Sequence, residues 1–249
     1  MLSANNYYTH DPIKFSMNFA LILVKDNSKG LPGKNLLRWK GKSLLEHTIV
    51  HLQQSKLFKE IYVSTNSNKI AKVASKKKCK IIIRNKILTK NEKYVESVDH
   101  ACEQIGKFKT ITIPQVVQPL RDKNIFNKIL KKIDTKKFDS VVTVENFDAS
   151  PTWIYKKKKG KLIKVKNIFY SNVIGREDNL CLIDNAIVTF TFKSWKKSKS
   201  ISPWPYLGKN IGYINQKKFN KNLKIDLNTN EDKKWLEYLT LKLKWKKFY

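Results

Sequence analysis

Short apolar runs, separated by stretches that carry an apolar helical face, constrain this chain more than any other feature. Asn18 to Val24, Ile61 to Thr65, Lys80 to Ile83, Thr110 to Val117 and Asp139 to Val144 each read as a buried strand. Between the first two, Ser43-Leu44-Leu45-Glu46 has the form of a capping box and opens a helix ending near Lys56, whose Leu44, Leu45, Thr48, Ile49 and Leu52 share a face. Ile70, Val73 and Ala74 mark a short second helix, Tyr94 to Ile105 a third, and Ile125, Phe126, Ile129, Leu130 and Ile133 a fourth. This β-α-β-α-β rhythm predicts an α/β fold with a mainly parallel sheet flanked by helices. Ligands of such sheets sit beyond the carboxyl ends of the strands.

At that edge, directly after the first apolar run, stands Ser28-Lys29-Gly30-Leu31-Pro32-Gly33-Lys34-Asn35. Its two glycines let the backbone turn tightly and approach a ligand, Pro32 stiffens the turn, and Lys29 and Lys34 place ammonium groups where polyphosphate oxygens would sit. The spacing is neither G-x-x-x-x-G-K-[ST] nor G-x-G-x-x-G. Taken alone, it suits an ordinary solvated strand-to-helix turn as well as a phosphate cradle.

Residues 1–17 are polar and unpatterned and read as an N-terminal arm ahead of a single domain over 18–249. From Pro151 the rhythm breaks. Trp153-Ile154-Tyr155, the run Lys156 to Lys159, Gly160 and Leu162 to Val165 predict a hairpin whose turn holds the lysines, part of an excursion over about 151–185. Ile187 to Phe192 reads as a returning strand and Glu231 to Trp245 as a closing helix.

The longest apolar runs fall far short of the ~20 residues that span a bilayer, and the first twenty residues lack a basic region followed by an apolar one. No membrane span and no signal peptide are expected. Cys79, Cys102 and Cys181 are widely spaced, lack the short Cys/His spacings of zinc sites, and suit a reducing cytoplasm. The formal net charge of +31 would ordinarily point to a polyanionic partner. Yet the 51 basic residues comprise 47 lysines and four arginines, with the lysines scattered over every predicted helix and loop. Residue bias then explains most of the charge, and nucleic acid is not the expected partner. In a chain that writes Lys almost everywhere, Arg38, Arg84, Arg121 and Arg176 stand out as positions needing a planar five-donor fork.

With these motifs in order, the chain resembles the CMP-sugar synthetase family, the acylneuraminate and deoxyoctulosonate cytidylyltransferases, over about Asn18 to Leu239. Ser28 through Asn35 resembles the family's S-K-G-[IL]-P-x-K-N. Ile61 to Thr65 with Ile70 to Ala74 resembles V-S-T-D…I-A-x-x-A, with Asn66 at the acidic place. Arg84 falls at the Arg of R-P-x-x-L, and Gln115 with Pro119-Leu120-Arg121 resembles Q-P-T-S-P-L-R. Asp139 to Val144 resembles D-S-V-V-S-V, Arg176 with Asp178 resembles R-Q-D, and Ile225 to Asp232 resembles I-D-I-D-T-x-E-D.

The resemblance implies a Rossmann-like nucleotidyltransferase fold and a reaction in which an acidic acceptor attacks the α-phosphate of CTP and pyrophosphate leaves. The acceptor would be a nonulosonic acid such as a sialic, legionaminic or pseudaminic acid. Ser28, Lys29, Gly30, Lys34 and Asn35 would hold the nucleotide's phosphates and sugar, with Lys25 at the family's loop arginine, and Lys25, Lys34 and Asp226 would be the catalytic residues. Arg84 and Gln115 would lie near the base and ribose; Arg121, Arg176 and Asp184 would face the acceptor; Asp226 and Asn228 would sit on the Mg²⁺ side. The excursion would serve a homodimer. Singly, Gln115 suits a strand-end cap, Arg176 a surface salt bridge and Asp226 a turn residue; jointly, the ordered set favours the family.

This chain also departs from the family. Lys25-Asp26-Asn27 replaces Arg-Gly-Gly, Val116-Val117-Gln118 replaces Pro-Thr-Ser, a family serine expected near Tyr94 is missing, Asn228 replaces a carboxylate, and Ile183-Asp184-Asn185-Ala186 replaces R-N-G-A. These positions leave open the same fold with another nucleotide or a phosphonate acceptor, an inactive paralogue, and a non-catalytic polyanion-binding protein.

Overall fold

The computed structural model describes residues 17–26, 30–84, 94–147, 150, 154–164, 180–197, 206–215 and 225–242. Its strands are β1 (Asn18–Leu23), β2 (Arg38–Trp39), β3 (Lys42–Ser43), β4 (Glu60–Thr65), β5 (Lys80–Ile83), β6 (Thr110–Pro114), β7 (Ser140–Asn146), β8 (Tyr155–Lys158), β9 (Lys161–Lys164), β10 (Cys181–Thr191) and β11 (Ile211–Asn215). Its α-helices are α1 (Leu44–Ser55), α2 (Asn68–Lys76), α3 (Tyr94–Ile105), α4 (Ile125–Lys136), α5 (Phe192–Lys197) and α6 (Asn230–Lys242).

Seven strands form one sheet in the order β11-β7-β10-β6-β1-β4-β5. All neighbours pair in parallel except β10, which runs antiparallel to both β6 and β7. The chain leaves β1 toward β4 and β5, then returns to place β6 on the other side, so the order reverses at β1. Just beyond the carboxyl ends of β1 and β6, a crevice is the geometric consequence.

Alternation along β1 shows why both faces are covered. Ala20 and Ile22 enter a core shared with α1, α2, α4 and α6, while Phe19 and Leu21 enter one shared with α3, Phe108 and Phe190. Helix α1 starts where expected: the Ser43 hydroxyl accepts from the Glu46 amide, and the Glu46 carboxylate accepts from the Ser43 amide at 2.8 Å.

Several expectations need correcting. The strand expected to reach Val117 ends at Pro114, because the chain turns at once: the Gln118 amide donates to the Gln115 carbonyl at 3.2 Å. The lysines expected in a turn mostly lie on strand. Lys156, Lys157 and Lys158 are in β8, and the turn itself is Lys159 and Gly160, both with positive φ. The returning strand starts at Cys181, ahead of the expected Ile187; a register shift between Ile183 and Val188 breaks the alternation that would have revealed it. The excursion expected to run to 185 therefore yields its last residues to the main sheet. Strand β11, the β2–β3 ribbon and α5 were not anticipated. Among the described residues no helix is long and apolar enough to cross a membrane.

Helix α1 also buries His51, whose ring lies 4.8 Å from that of Phe126 and whose Nε2 is 3.3 Å from the Lys123 carbonyl. Burial pushes its pKa down to about 4, assisted by the Arg121 charge. The unfolded chain then binds a proton below pH ~6.5 that the folded chain refuses until about pH 4. Stability from this group is therefore complete above pH ~6.5 and is lost as pH falls toward 4, by roughly 3 kcal/mol at most. Urea denaturation between pH 7 and 4 should show a slope that is shallower in His51→Gln; parallel slopes would overturn this.

Candidate functional site

The crevice predicted by the strand order holds a pocket of about 180 Å³ lined by Leu23, Val24, Lys25, Arg84, Tyr94, Ser97 and Gln115. Three residues expected at the nucleotide, Lys25, Arg84 and Gln115, come together here from the ends of β1, β5 and β6. Helix α3 supplies the wall with Tyr94 and Ser97, one turn apart. Ser97 was not singled out from the sequence, which reads as lacking the family serine near Tyr94; a serine does stand on this wall. A spacing of three along a helix that begins at a pocket-lining tyrosine is the signal that could have found it.

Arg84 explains why an arginine is kept. It is 4% exposed, and its Nη2 donates to the Val24 carbonyl at 2.8 Å, reaching across β4 to the end of β1. Its own amide donates to the Thr65 carbonyl, so one residue ties three strand ends together. Gln115 is fixed at both ends. Its amide donates to the Ala186 carbonyl at 2.9 Å, and its side-chain Nε2 donates to the Tyr94 hydroxyl at 3.2 Å. Burial raises the pKa of that phenol, which stays neutral.

The glycine loop meets the pocket through Asn35, whose Nδ2 donates to the Lys25 carbonyl at 2.9 Å. Gly33 has φ +68°, which lets the chain enter the short 3₁₀ turn Lys34–Leu36. Gly30 is needed for a different reason: a Cβ there would stand 2.6 Å from the Asn228 carbonyl oxygen. The loop therefore lies against the segment ahead of α6.

Lys34 crosses that contact. Its Nζ donates to the Leu227 carbonyl at 3.0 Å and to Asn228 Oδ1 at 2.7 Å. Burial lowers its pKa, while the carboxylates of Asp226 and Asp232 oppose the shift. Asp232 in turn completes a capping box at the start of α6: the Thr229 hydroxyl accepts from the Asp232 amide, and Asp232 Oδ2 accepts from the Asn228 and Thr229 amides at 2.8 Å each. Burial pushes its carboxyl up, but these amides, the Thr229 hydroxyl and Lys34 outweigh it, and the pKa ends below the usual range.

Two residues expected to face the acceptor, Arg121 and Asp184, bond to the protein itself. Arg121 is 2% exposed, and its guanidinium donates to the Gln115 carbonyl and, at 3.4 Å, to the Thr48 hydroxyl of α1. From there it holds the Gln115 turn against α1. Asp184 Oδ1 accepts from the Thr143 hydroxyl and the Ala186 amide, which pins the irregular stretch of β10 beside Gln115; its carbonyl accepts from Gln118 Nε2 at 2.9 Å. The unexpected acid Asp26 accepts from the Ser67 hydroxyl at 3.1 Å, at the N-terminus of α2, where the helix end favours a negative charge. Ser28, Lys29 and Arg176 lie outside the described residues.

For Mg²⁺ the donor set is small. Among the described residues no group of three His, Cys, Asp or Glu side chains gathers to hold a metal. Asp226 offers one carboxylate, whereas the Asn228 amide oxygen is occupied by the Lys34 ammonium. One carboxylate fits an ion whose remaining ligands are phosphate oxygens and waters.

A family model described as cytidylyltransferase matches residues 19–238. N-acylneuraminate cytidylyltransferase of Escherichia coli O18:K1:H7 is 28% identical over 127 residues, which are 50% of this chain and 30% of that protein. CMP-N,N'-diacetyllegionaminic acid synthase of Legionella pneumophila is 27% identical over 195 residues, 75% of this chain and 83% of that protein. The chain thus spans under a third of the first of these relatives and most of the second. The fold is shared with CMP:2-keto-3-deoxy-manno-octonic acid synthetase complexed with CTP, at TM-score 0.62 and 12% identity over 91% of this chain and 99% of that one. It is also shared with the bifunctional IspDF of Campylobacter jejuni, at TM-score 0.61 and 18% identity over 88% of this chain and 54% of that one.

Gly30→Ala should cost about 1–3 kcal/mol in urea denaturation, because the methyl group meets main chain that cannot rotate away. Arg121→Ala should cost about 3 kcal/mol through a lost volume and an unsatisfied Gln115 carbonyl. An Arg121→Ala variant of unchanged stability would remove the positioning role.

Proposed function

The chain belongs to the cytidylyltransferase family, and from that premise we propose that it transfers CMP from CTP to an acidic sugar, a nonulosonic acid, with release of pyrophosphate. One observation carries this reading: Lys25, Arg84 and Gln115, far apart in sequence, line one pocket at the strand-order reversal. The glycine loop joins it through the Asn35 to Lys25 contact. A cytosine nucleotide with its base toward Gln115 and Tyr94 would send its phosphates toward that loop and Lys34.

The chemistry asks mainly for positioning and charge neutralisation. An acceptor hydroxyl oxygen attacks the α-phosphorus, its proton passes to water, the bond from that phosphorus to the bridging oxygen breaks, and pyrophosphate departs with its charge. Lys34 stands ready for that charge: its burial weakens its hold on its proton without removing it from the reach of Asp226 and Asp232. On triphosphate binding it would exchange the Leu227 carbonyl and Asn228 amide for phosphate oxygens. Mg²⁺ held by Asp226 would neutralise further phosphate charge. Asn228 would serve as the resting perch of Lys34, so the amide replacing a carboxylate would hold the lysine and leave the ion to Asp226. Arg176 would pair with the acceptor carboxylate, which suits a guanidinium fork. A homodimer and a cytoplasmic setting belong to the same proposal.

Calorimetric titration with CTP, UTP, GTP and ATP, each with Mg²⁺, should show CTP selectivity that persists at moderate salt. Lys34→Ala should weaken CTP by about tenfold to a hundredfold, the worth of charge-assisted hydrogen bonds. Pyrophosphate release in the presence of sialic, legionaminic, pseudaminic or deoxyoctulosonic acid, or of a sugar phosphate, then names the acceptor. Equal, salt-labile binding of all four nucleotides would replace this reading by polyanion binding.

A further inference from the structure

A second cavity, of about 550 Å³, opens between α4 and the edge strand β11, away from the nucleotide pocket. Lys128, Lys131, Lys132, Lys136 and Thr135 line it from the helix, and Tyr213, Ile214 and Asn215 from the strand. We propose that this groove is a binding site for a compact, multivalent phosphate, such as an inorganic polyphosphate or the polyphosphate moiety of a nucleotide.

The number of lysines is not the argument, since this chain places lysine on every surface. Their arrangement is. Positions 128, 132 and 136 recur every four residues and 131 lies beside them, so four ammonium groups share one helical face, and like charges at this spacing destabilise a helix. Among the described residues no carboxylate lines the cavity. The acid of this helix, Asp134, pairs instead with Lys109 at 2.7 Å. Lys128 is held by Asp122 at 3.1 Å and Lys132 by the Tyr213 carbonyl at 2.8 Å, with its ammonium 4.9 Å from the Tyr213 ring centre. These two are pre-positioned walls. Lys131 and Lys136 make no ion pair among the described residues and are the arms that would close on an anion. A concave site of this size suits a small ligand more than an extended strand, and Thr135 with Asn215 adds neutral polar groups beside the charges.

The test separates this groove from the nucleotide site and from general basicity. In a Lys34→Ala background, which weakens the proposed nucleotide site, tripolyphosphate is titrated calorimetrically at physiological ionic strength, where the Debye length is about 8 Å. One class of site should remain and should raise the unfolding temperature. Adding Lys131→Ala with Lys136→Ala should weaken it by about tenfold or more, while Lys156→Ala with Lys158→Ala, an equal loss of charge on the exposed hairpin, should leave it unchanged. Equal weakening by both pairs would reduce the groove to general basicity. Competition by a short oligouridylate stronger than by tripolyphosphate would assign it to single-stranded nucleic acid. CTP selectivity in the Lys131/Lys136 variant with Lys34 intact reports separately on the proposed activity.

Discussion

The candidate site depends on one ammonium group that bridges two segments far apart in sequence. Lys34 reaches the Leu227 carbonyl and the Asn228 side chain, 193 and 194 residues away. The same Leu227 donates its amide to the Val117 carbonyl at 3.0 Å. The glycine loop, the turn after β6 and the cap of α6 are thereby fixed relative to one another. Removing the lysine would leave a main-chain carbonyl and an amide oxygen without their cationic donor, and the loop would lose its anchor to the segment that carries Asp226.

The arginines show how the same economy works in the interior. Three of the four lie among described residues, and none is used there as a surface charge pair. Arg38 donates to the Gly41 carbonyl at 2.8 Å and closes the β2–β3 turn, Arg84 holds the end of β1, and Arg121 holds the Gln115 carbonyl against α1. Each uses directed donors on main-chain oxygens, which a lysine's single tetrahedral head cannot match in number or direction. In a lysine-rich chain, the exceptions mark where the backbone near the site is held.

Much of the fold was legible because burial on two faces produces uninterrupted apolar runs; β1, β4 and β5 and their intervening helices announce themselves in this way. β10 was half hidden because its irregular stretch at Ile183 to Val188 breaks the period. β11 was missed because Ile211 and Tyr213 lie exposed on the sheet edge, so Ile211 to Asn215 lacks the signature of a strand buried on both faces. For the site, residue type marked Lys34, Arg84 and Gln115, but not which partner each would face. Arg121 and Asp184 drew attention by position in a motif, and only the packing showed that the Arg121 guanidinium meets Thr48 and that Asp184 Oδ1 meets Thr143. Ser97 was passed over although the family pattern expects a serine near Tyr94, and the pitch of α3 brings it to the pocket wall.

The close approach of Gly30 to the Asn228 carbonyl has a consequence for how such a molecule comes into being. The two halves of the site are made roughly ten to forty seconds of elongation apart at typical ribosomal rates. During that interval the glycine loop has nothing to lie against, and Lys34 has neither of its resting acceptors. Strands β1, β4, β5 and β6 can pair early, but the site closes only when the segment around Asn228 has left the ribosome, so folding of that part of the sheet and acquisition of ligand binding are separated in time.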